Sequence, residues 1–300
     1  MPIKNVFLGS LIALAVVLPT WTRAENADPR LYPDSMLVTH DRFSDEIVGQ
    51  GPDLVFIPGL ASSRATWKVE ADRLKGRYRV HLIQIAGFAG ESARANAAGE
   101  VFVPTAEALD TYLAEQHLTP ATVIGHSLGG TMALYLAEHH GDHLKKILIV
   151  DALPFYSVLM GGPTATVDSI RPVAERIRAS TQPSPNMDRI VAGMVTSPEN
   201  RTLISGWSTV SDHGAVNRAM ADDLELDMRT GLATIATPIT LLYPDYAPAG
   251  SPPGATDGLY GQAYAAAPHK TLVRIDNSLH FIMLDQPAAF ETALDAFLKD

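Results

Sequence analysis

Two hydrophobic patterns alternate along this chain: short continuous apolar runs, and longer stretches where apolar residues return every three or four positions. The first is clearest in Asp53–Ile57 (DLVFI), the pattern of a strand buried on both faces. Val80–Ile85, Thr122–Ile124, Ile147–Val150, Ile239–Tyr243 and Thr271–Ile275 repeat it, and Met36–Thr39 and Glu46–Val48 read as an opening pair of strands. The second pattern predicts helices over Arg64–Lys75, Pro104–Gln116, Leu128–His140, Asp257–Ala266 and Pro287–Leu298. In Pro104–Gln116 the proline stands in a first turn, which tolerates its missing N–H, and Ala108, Leu109, Tyr112 and Leu113 form one face. Strands and helices in alternation predict an α/β fold, a mostly parallel central sheet with helices on both faces.

One segment breaks the alternation. From Leu153 to Ile235 there are helical patches (Ile170–Arg178, Asp188–Met194, Ala215–Met220) but no buried strand, and Met160, Met187, Met194, Met220 and Met228 collect there. An insertion between the strands ending near Val150 and starting near Ile239 is expected to form a helical cap. The expected organisation is therefore a core of residues 25–152 and 236–300 with a cap of 153–235.

The first 24 residues have a different character. Lys4 is followed by an apolar run, Val6–Leu18, broken only by Gly9 and Ser10, and Thr22-Arg23-Ala24 resembles a small-x-small cleavage site. The run is shorter than the roughly 20 residues needed to span a bilayer. It reads as an export signal, which would put the mature protein in the periplasm or the medium, without stable membrane insertion. Cleavage after Ala24 would remove Lys4 and Arg23 and take the net charge from −10 to −12. That acidic balance, without any Lys/Arg block, argues against a nucleic-acid partner. With no cysteine in the chain, thiolate catalysis and Cys-ligated metal sites are excluded.

Gly125-His126-Ser127-Leu128-Gly129 has the G-x-S-x-G form, with a β-branched strand before it and a helix pattern after it. A serine at such a strand-to-helix corner is held in a strained conformation with its hydroxyl exposed, and the flanking glycines avoid collision between crossing backbones. The following helix adds positive potential where an oxyanion would form. Three other stretches fit the same picture: Phe56-Ile57-Pro58-Gly59-Leu60-Ala61-Ser62-Ser63 with Trp67, Gly87-Phe88-Ala89-Gly90-Glu91-Ser92, and Ser278-Leu279-His280-Phe281 followed by Asp285-Gln286-Pro287. Together these motifs resemble the α/β-hydrolase fold superfamily over nearly the whole chain outside the leader and the insertion.

The resemblance implies a serine hydrolase in which Ser127 is the nucleophile and His280, after the last strand, is the base that removes its proton. It places the acid after the strand Ile239–Tyr243, where Asp245 is the first choice although Pro244 stands where the family has Gly. Asp151, ending the strand Ile147–Val150, is the alternative. Asp257 reads as a helix N-cap. By the family pattern the oxyanion hole is made by the backbone N–H groups of Leu60 and Leu128. Pro58 stands where the family commonly has His, which leaves open what fixes that loop. His126 reads as packed beside Ser127, and His213 as lining a cleft or facing water. His139, His140 and His143 read as a solvated helix end, where His is favoured, rather than a metal site.

The chemistry calls for no cofactor and no metal. The expected activity is cleavage of a carboxylic ester of a small to medium apolar substrate through an acyl-enzyme. The alternatives are a lactonase, amidase, C–C bond hydrolase or perhydrolase using the same triad, or a non-catalytic ligand-binding member of the fold.

Overall fold

The structure, a computed structural model, describes residues 30–299; the expected leader, 1–24, lies outside the described residues. Eight strands form one open sheet: β1 (Met36–Thr39), β2 (Phe43–Gly49), β3 (Asp53–Ile57), β4 (Arg79–Ile85), β5 (Ala121–His126), β6 (Leu144–Val150), β7 (Ile239–Pro244) and β8 (Lys270–Ile275). Their order is β1-β2-β4-β3-β5-β6-β7-β8. β2 is antiparallel to β1 and β4, and every other pairing is parallel. The helices are α1 (Lys68–Leu74), α2 (Phe102–Glu115), α3 (Leu128–His139), then α4 (Val158–Gly161), α5 (Val167–Arg178), α6 (Met187–Ala192), α7 (Pro198–Val210) and α8 (His213–Glu225), and finally α9 (Ala255–Ala263), α10 (Ile282–Asp285) and α11 (Pro287–Lys299).

The continuous apolar runs are explained by helices on both faces of the sheet. Val55, Ile57, Val123, Ile147 and Ile149 point to one side, against α2 and α3. Their neighbours Leu54, Phe56, Ile124, Leu148 and Val150 point to the other, against α1 and α11. A two-residue period therefore fills two cores at once.

The predicted Arg64–Lys75 helix divides at Trp67 into a 3₁₀ turn, Arg64–Trp67, and α1. The break puts the Trp67 ring fully inside, with Phe56 at 5.3 Å and Phe290 at 6.1 Å between centroids. All five helices of the insertion, α4 to α8, lie between β6 and β7. Hydrophobic periodicity misses α4, which buries no residue, and α7, since only Ile204 and Ser208 of the thirteen residues of α7 are buried. The signal of α7 is instead a start motif, Ser197 capping Asn200 N–H with Pro198 in the first turn.

The insertion is fastened to the rest of the chain by backbone-level contacts. Asp222 of α8 accepts hydrogen bonds from Val101 N (2.7 Å) and Phe102 N (3.1 Å), capping α2, whose own N-cap residue Val101 makes no side-chain cap. Asp212 N donates to Gly87 O at 2.7 Å, and Ala89 N to Ser211 Oγ at 2.8 Å. Where β3 lies between β4 and β5, successive strands are laid down on opposite sides, the place where open α/β sheets offer a crevice at their carboxyl ends. No helix among the described residues is long and apolar enough to cross a membrane.

Candidate active site

The registers of β3, β5 and β6 set Ile57, Gly125 and Ile149 side by side, so the residues just beyond leave the sheet along one edge. At the end of β5 the chain turns sharply through Ser127, at φ 52° and ψ −122°. A non-glycine residue there carries strain of about 1–3 kcal/mol. Hydrogen bonds from Ser127 N to Val150 O and from Thr131 N to Ser127 O, both 2.9 Å, hold it in place. Ser127 occupies the N-cap position of α3 but its hydroxyl makes no cap bond, which leaves Oγ for chemistry. A Cβ on Gly125 would strike the Gly129 carbonyl, and one on Gly129 the Ile57 carbonyl, so the corner closes only with glycine at both positions. Leu128 begins α3, where N–H groups have no intrahelical acceptor.

The loop after β3 packs directly on the corner: a Cβ on Gly59 would lie 3.1 Å from Ser127 Cβ. Pro58 cannot fix this loop as a histidine would. A buried side chain from β4 does so. Gln84 Nε2 donates to Ser62 O (3.1 Å) and Phe88 O (3.2 Å), while its Oε1 accepts from Arg64 N at 2.8 Å. Ser62 N closes a turn onto Gly59 O at 3.1 Å, and Ala61 takes a positive φ of 54°. Sequence reasoning missed Gln84 because it sits within an apolar strand run and belongs to no motif.

His280 Nδ1 lies 2.5 Å from Asp151 Oδ2, not against Asp245. Of the two candidate acids, the structure brings Asp151, the alternative, to His280 and leaves Asp245, the first choice, on backbone N–H groups instead. Beyond β7 the chain turns through Tyr246 in the left-handed region, φ 53°, and the Asp245 carboxylate folds back onto backbone. It accepts from Asn277 N (3.0 Å), Ser278 N (3.3 Å) and Ala247 N (3.0 Å), fastening the start of the histidine loop. What the β7 loop brings to the site is Tyr246, whose hydroxyl donates to Asp151 Oδ2 at 2.7 Å, and Tyr260 of α9 donates to Asp151 Oδ1. Neither tyrosine carries a sequence signal, since in isolation each reads as a helix or loop aromatic.

Burial pushes the Asp151 carboxyl up, but the His280 charge and the hydrogen bonds from His280, Tyr260 and Tyr246 outweigh it and hold it below the usual range. Both tyrosine hydroxyls are pushed well up, by burial first and the Asp151 charge second, so they remain donors.

The rest of the His280 loop is also pinned. Asp285 accepts from Leu279 N (2.9 Å), Thr196 N (2.8 Å) and Thr196 Oγ1 (2.7 Å), and Phe281 N donates to Met194 O at 3.0 Å. The insertion therefore braces the loop that carries the histidine. His126 is fully buried among Trp67, His280 and Phe281, with its Nε2 donating to His280 O at 3.1 Å. Burial, then the charge on His280, lowers its pKa to about 3, so it stays neutral. Asp257 is not an N-cap: Gly254 holds that position, and Asp257 accepts from Tyr243 OH and Arg274 instead. His213 borders a cleft of about 300 Å³ inside the insertion, with Pro183, Met187 and Ser208.

The conserved pattern of the alpha/beta hydrolase family matches residues 54–293 of this chain. The chain is 26% identical over 268 residues to a pimeloyl-[acyl-carrier protein] methyl ester esterase of Vibrio cholerae, covering 82% of this chain and 93% of that protein. A thermophilic esterase from Thermogutta terrifontis superposes with a TM-score of 0.71 at 19% identity, covering 88% of this chain and 98% of that one. An enol-lactonase from Burkholderia xenovorans gives 0.70 at 15% identity, covering 86% and 96%. At those identities the two structures speak for the fold.

Proposed function

The chain belongs to the alpha/beta hydrolase family, and from that premise we propose that it is a serine carboxylesterase working through an acyl-enzyme on Ser127. The observation that carries the proposal is the Asp151–His280 contact beside the strained Ser127 corner. The curated relatives are methyl ester esterases by name, and the ester bond is what we carry over from them.

In this reading Asp151 holds the proton on His280 Nδ1, so that Nε2 is free to take the proton from Ser127 Oγ as it attacks the ester carbonyl. The carbonyl oxygen becomes an oxyanion against the backbone N–H groups of Leu60 and Leu128. His280 then gives its proton to the leaving alkoxide, and the acyl group stays on Ser127. Water repeats the sequence: His280 removes its proton, the acid is released, and the proton returns to Ser127. The imidazolium formed twice in each turnover is stabilised by the Asp151 carboxylate, which Tyr246 and Tyr260 keep ionised.

We further propose that α4–α8 act as a cap and that the substrate is small to medium and apolar. Three residues beyond Asp151 the chain borders a hollow of about 350 Å³ whose apolar lining includes Pro154, Phe155, Val158, Leu232 and Leu259. Export through cleavage of residues 1–24 belongs to the same proposal and rests on the sequence of that segment.

The test is hydrolysis of p-nitrophenyl acetate and butyrate by the wild type and by Ser127→Ala. Turnover should fall by about 10³-fold or more in the variant, and acid quenching during turnover should trap an acyl adduct on Ser127 of the wild type that is absent from the variant by mass spectrometry. Equal rates from the two proteins would remove the serine mechanism. A parallel panel of lactones, amides and longer acyl chains sets the substrate class.

A further inference from the structure

At the end of α3 far from Ser127, α2 meets the turn between α3 and β6. Asp110 of α2 is nearly buried, at 8% exposure. Both imidazoles of that turn present the same nitrogen to it. His143 Nδ1 is 2.8 Å from Asp110 Oδ1, and His140 Nδ1 is 3.3 Å from Asp110 Oδ2. One donor atom from each of the three residues falls within 4.8 Å of the others.

We propose that Asp110, His140 and His143 form a binding site for a divalent transition cation, with zinc the ion whose ligand preferences fit best. A tetrahedral zinc site with bonds of about 2.0–2.2 Å has edges of about 3.3–3.6 Å. The two imidazoles meet different oxygens of Asp110, at 3.3 and 2.8 Å, and the three donor atoms lie within 4.8 Å of one another, so turning the carboxylate to offer one oxygen to both nitrogens and closing the set by about 1 Å gives that geometry. Two imidazoles and a carboxylate with a fourth position for water are a donor set that suits zinc and its neighbours rather than magnesium or calcium.

The surroundings supply what a metal-bound histidine requires on its far nitrogen. His140 Nε2 lies 3.1 Å from Glu107 Oε2 and 3.2 Å from Oε1. A carboxylate in that position fixes the tautomer that leaves Nδ1 unprotonated and raises its basicity. Glu107 is itself oriented by the Tyr135 hydroxyl at 2.8 Å. Glu107 and Asp110 are three residues apart on α2, so one helical face carries both the ligand and its support. His139 stands outside the set: its Nδ1 is engaged with Tyr135 O at 3.0 Å and its ring stacks on Tyr135 at 4.1 Å. The ion would fasten α2 to the turn that feeds β6 and would not touch substrate. Of the three histidines that sequence alone reads as a solvated helix end, His139 is exposed, whereas His140 and His143 are partly buried and organised around one carboxylate.

The experiment uses the full chain stripped with a chelator and then titrated with ZnCl₂ by calorimetry, with thermal unfolding followed in parallel. One zinc per chain should bind with micromolar affinity and raise Tm, while ester hydrolysis is unchanged. Cobalt(II) in place of zinc should give the intense visible bands of four-coordinate geometry. His143→Ala and Asp110→Asn should abolish the binding and the Tm rise, and Glu107→Gln should weaken affinity by about 10- to 100-fold. His213→Ala, at a histidine remote from the cluster, should leave it intact. Circular dichroism screens the variants for folding, and Asp110→Asn serves if His143→Ala does not fold. Absence of saturable binding in the wild type would overturn the proposal, as would binding that survives both Asp110→Asn and His143→Ala.

Discussion

Asp151→Asn keeps the shape of a side chain at the centre of the site and removes its charge. The Asp151 carboxylate accepts from His280 Nδ1 at 2.5 Å, from Tyr246 at 2.7 Å and from Tyr260. All three partners donate, so an amide in this place must aim its NH₂ at one of them. Turned toward His280, the NH₂ makes Nδ1 the acceptor and moves the ring proton to Nε2, the nitrogen that must receive the serine proton. Turned toward Tyr260, whose hydroxyl can reverse, the amide keeps the tautomer but offers no charge to the imidazolium. Losing the productive tautomer or the charge beside the imidazolium is expected to lower kcat by about 10²- to 10⁴-fold, about 3–5 kcal/mol of transition-state stabilisation. Asp245→Asn should behave differently. Its carboxylate serves three backbone N–H groups, and the amide loses one charge-assisted bond, about 1.5–3 kcal/mol of local stability, with kcat within about tenfold of wild type. Both variants are assayed for kcat and KM on p-nitrophenyl butyrate, with near-ultraviolet circular dichroism confirming the fold. If Asp151→Asn keeps more than about a tenth of wild-type kcat, or Asp245→Asn loses as much as Asp151→Asn, the assignment of the acid is refuted.

Asp223 of α8 is buried with one carboxyl oxygen unpartnered, and burial raises its pKa to about 7, against help from Thr131 and with a further push from Asp222. Below about pH 4 both folded and unfolded states are protonated; between there and about 7 only the unfolded state ionises, so stability falls as pH rises through that window. Asp223→Asn should remove that slope and gain up to about 4 kcal/mol over wild type by pH 8 relative to pH 4, and urea melts with a pH-independent difference would contradict this. Gln84→Ala should lower kcat by about tenfold with KM little changed, because the loop carrying Leu60 loses its brace, and should cost about 1–3 kcal/mol in stability; a folded variant with wild-type kcat would take Gln84 out of positioning. Gly125→Ala should fail to give soluble protein, its Cβ meeting the Gly129 carbonyl, whereas Gly76→Ala, with open space around it, should be harmless. A soluble, active Gly125→Ala would show that the corner is not closed as described.

Linear spacing carried a good deal of this molecule. Each strand predicted from an apolar run exists, lengthened by a few residues at most, because a strand buried on both faces must be apolar at consecutive positions. Ser127 was legible because its corner is local: the strand, the two glycines and the helix that build it are contiguous, and their steric demand is met within a few residues. The insertion was recognisable as helical without strands, although α4 and α7 escaped because they bury few or no side chains.

The partner of His280 was decided elsewhere. Asp151 and Asp245 end neighbouring parallel strands, and sequence offers both carboxylates to the same imidazole. The choice turns on one left-handed residue, Tyr246, which sends Asp245 back to the Asn277–Ser278 backbone and brings two hydroxyls to Asp151. Gln84 bracing the loop at Pro58, Asp222 capping a helix from 120 residues away, and Asp110 drawing His140 and His143 together have the same origin. Each is a polar contact between residues distant along the chain. Hydrophobic periodicity records which face of an element is buried, and local motifs record which backbone turns a segment can make. Which donor meets which acceptor depends on how the packed elements are set against one another, and that is a property of the folded molecule alone.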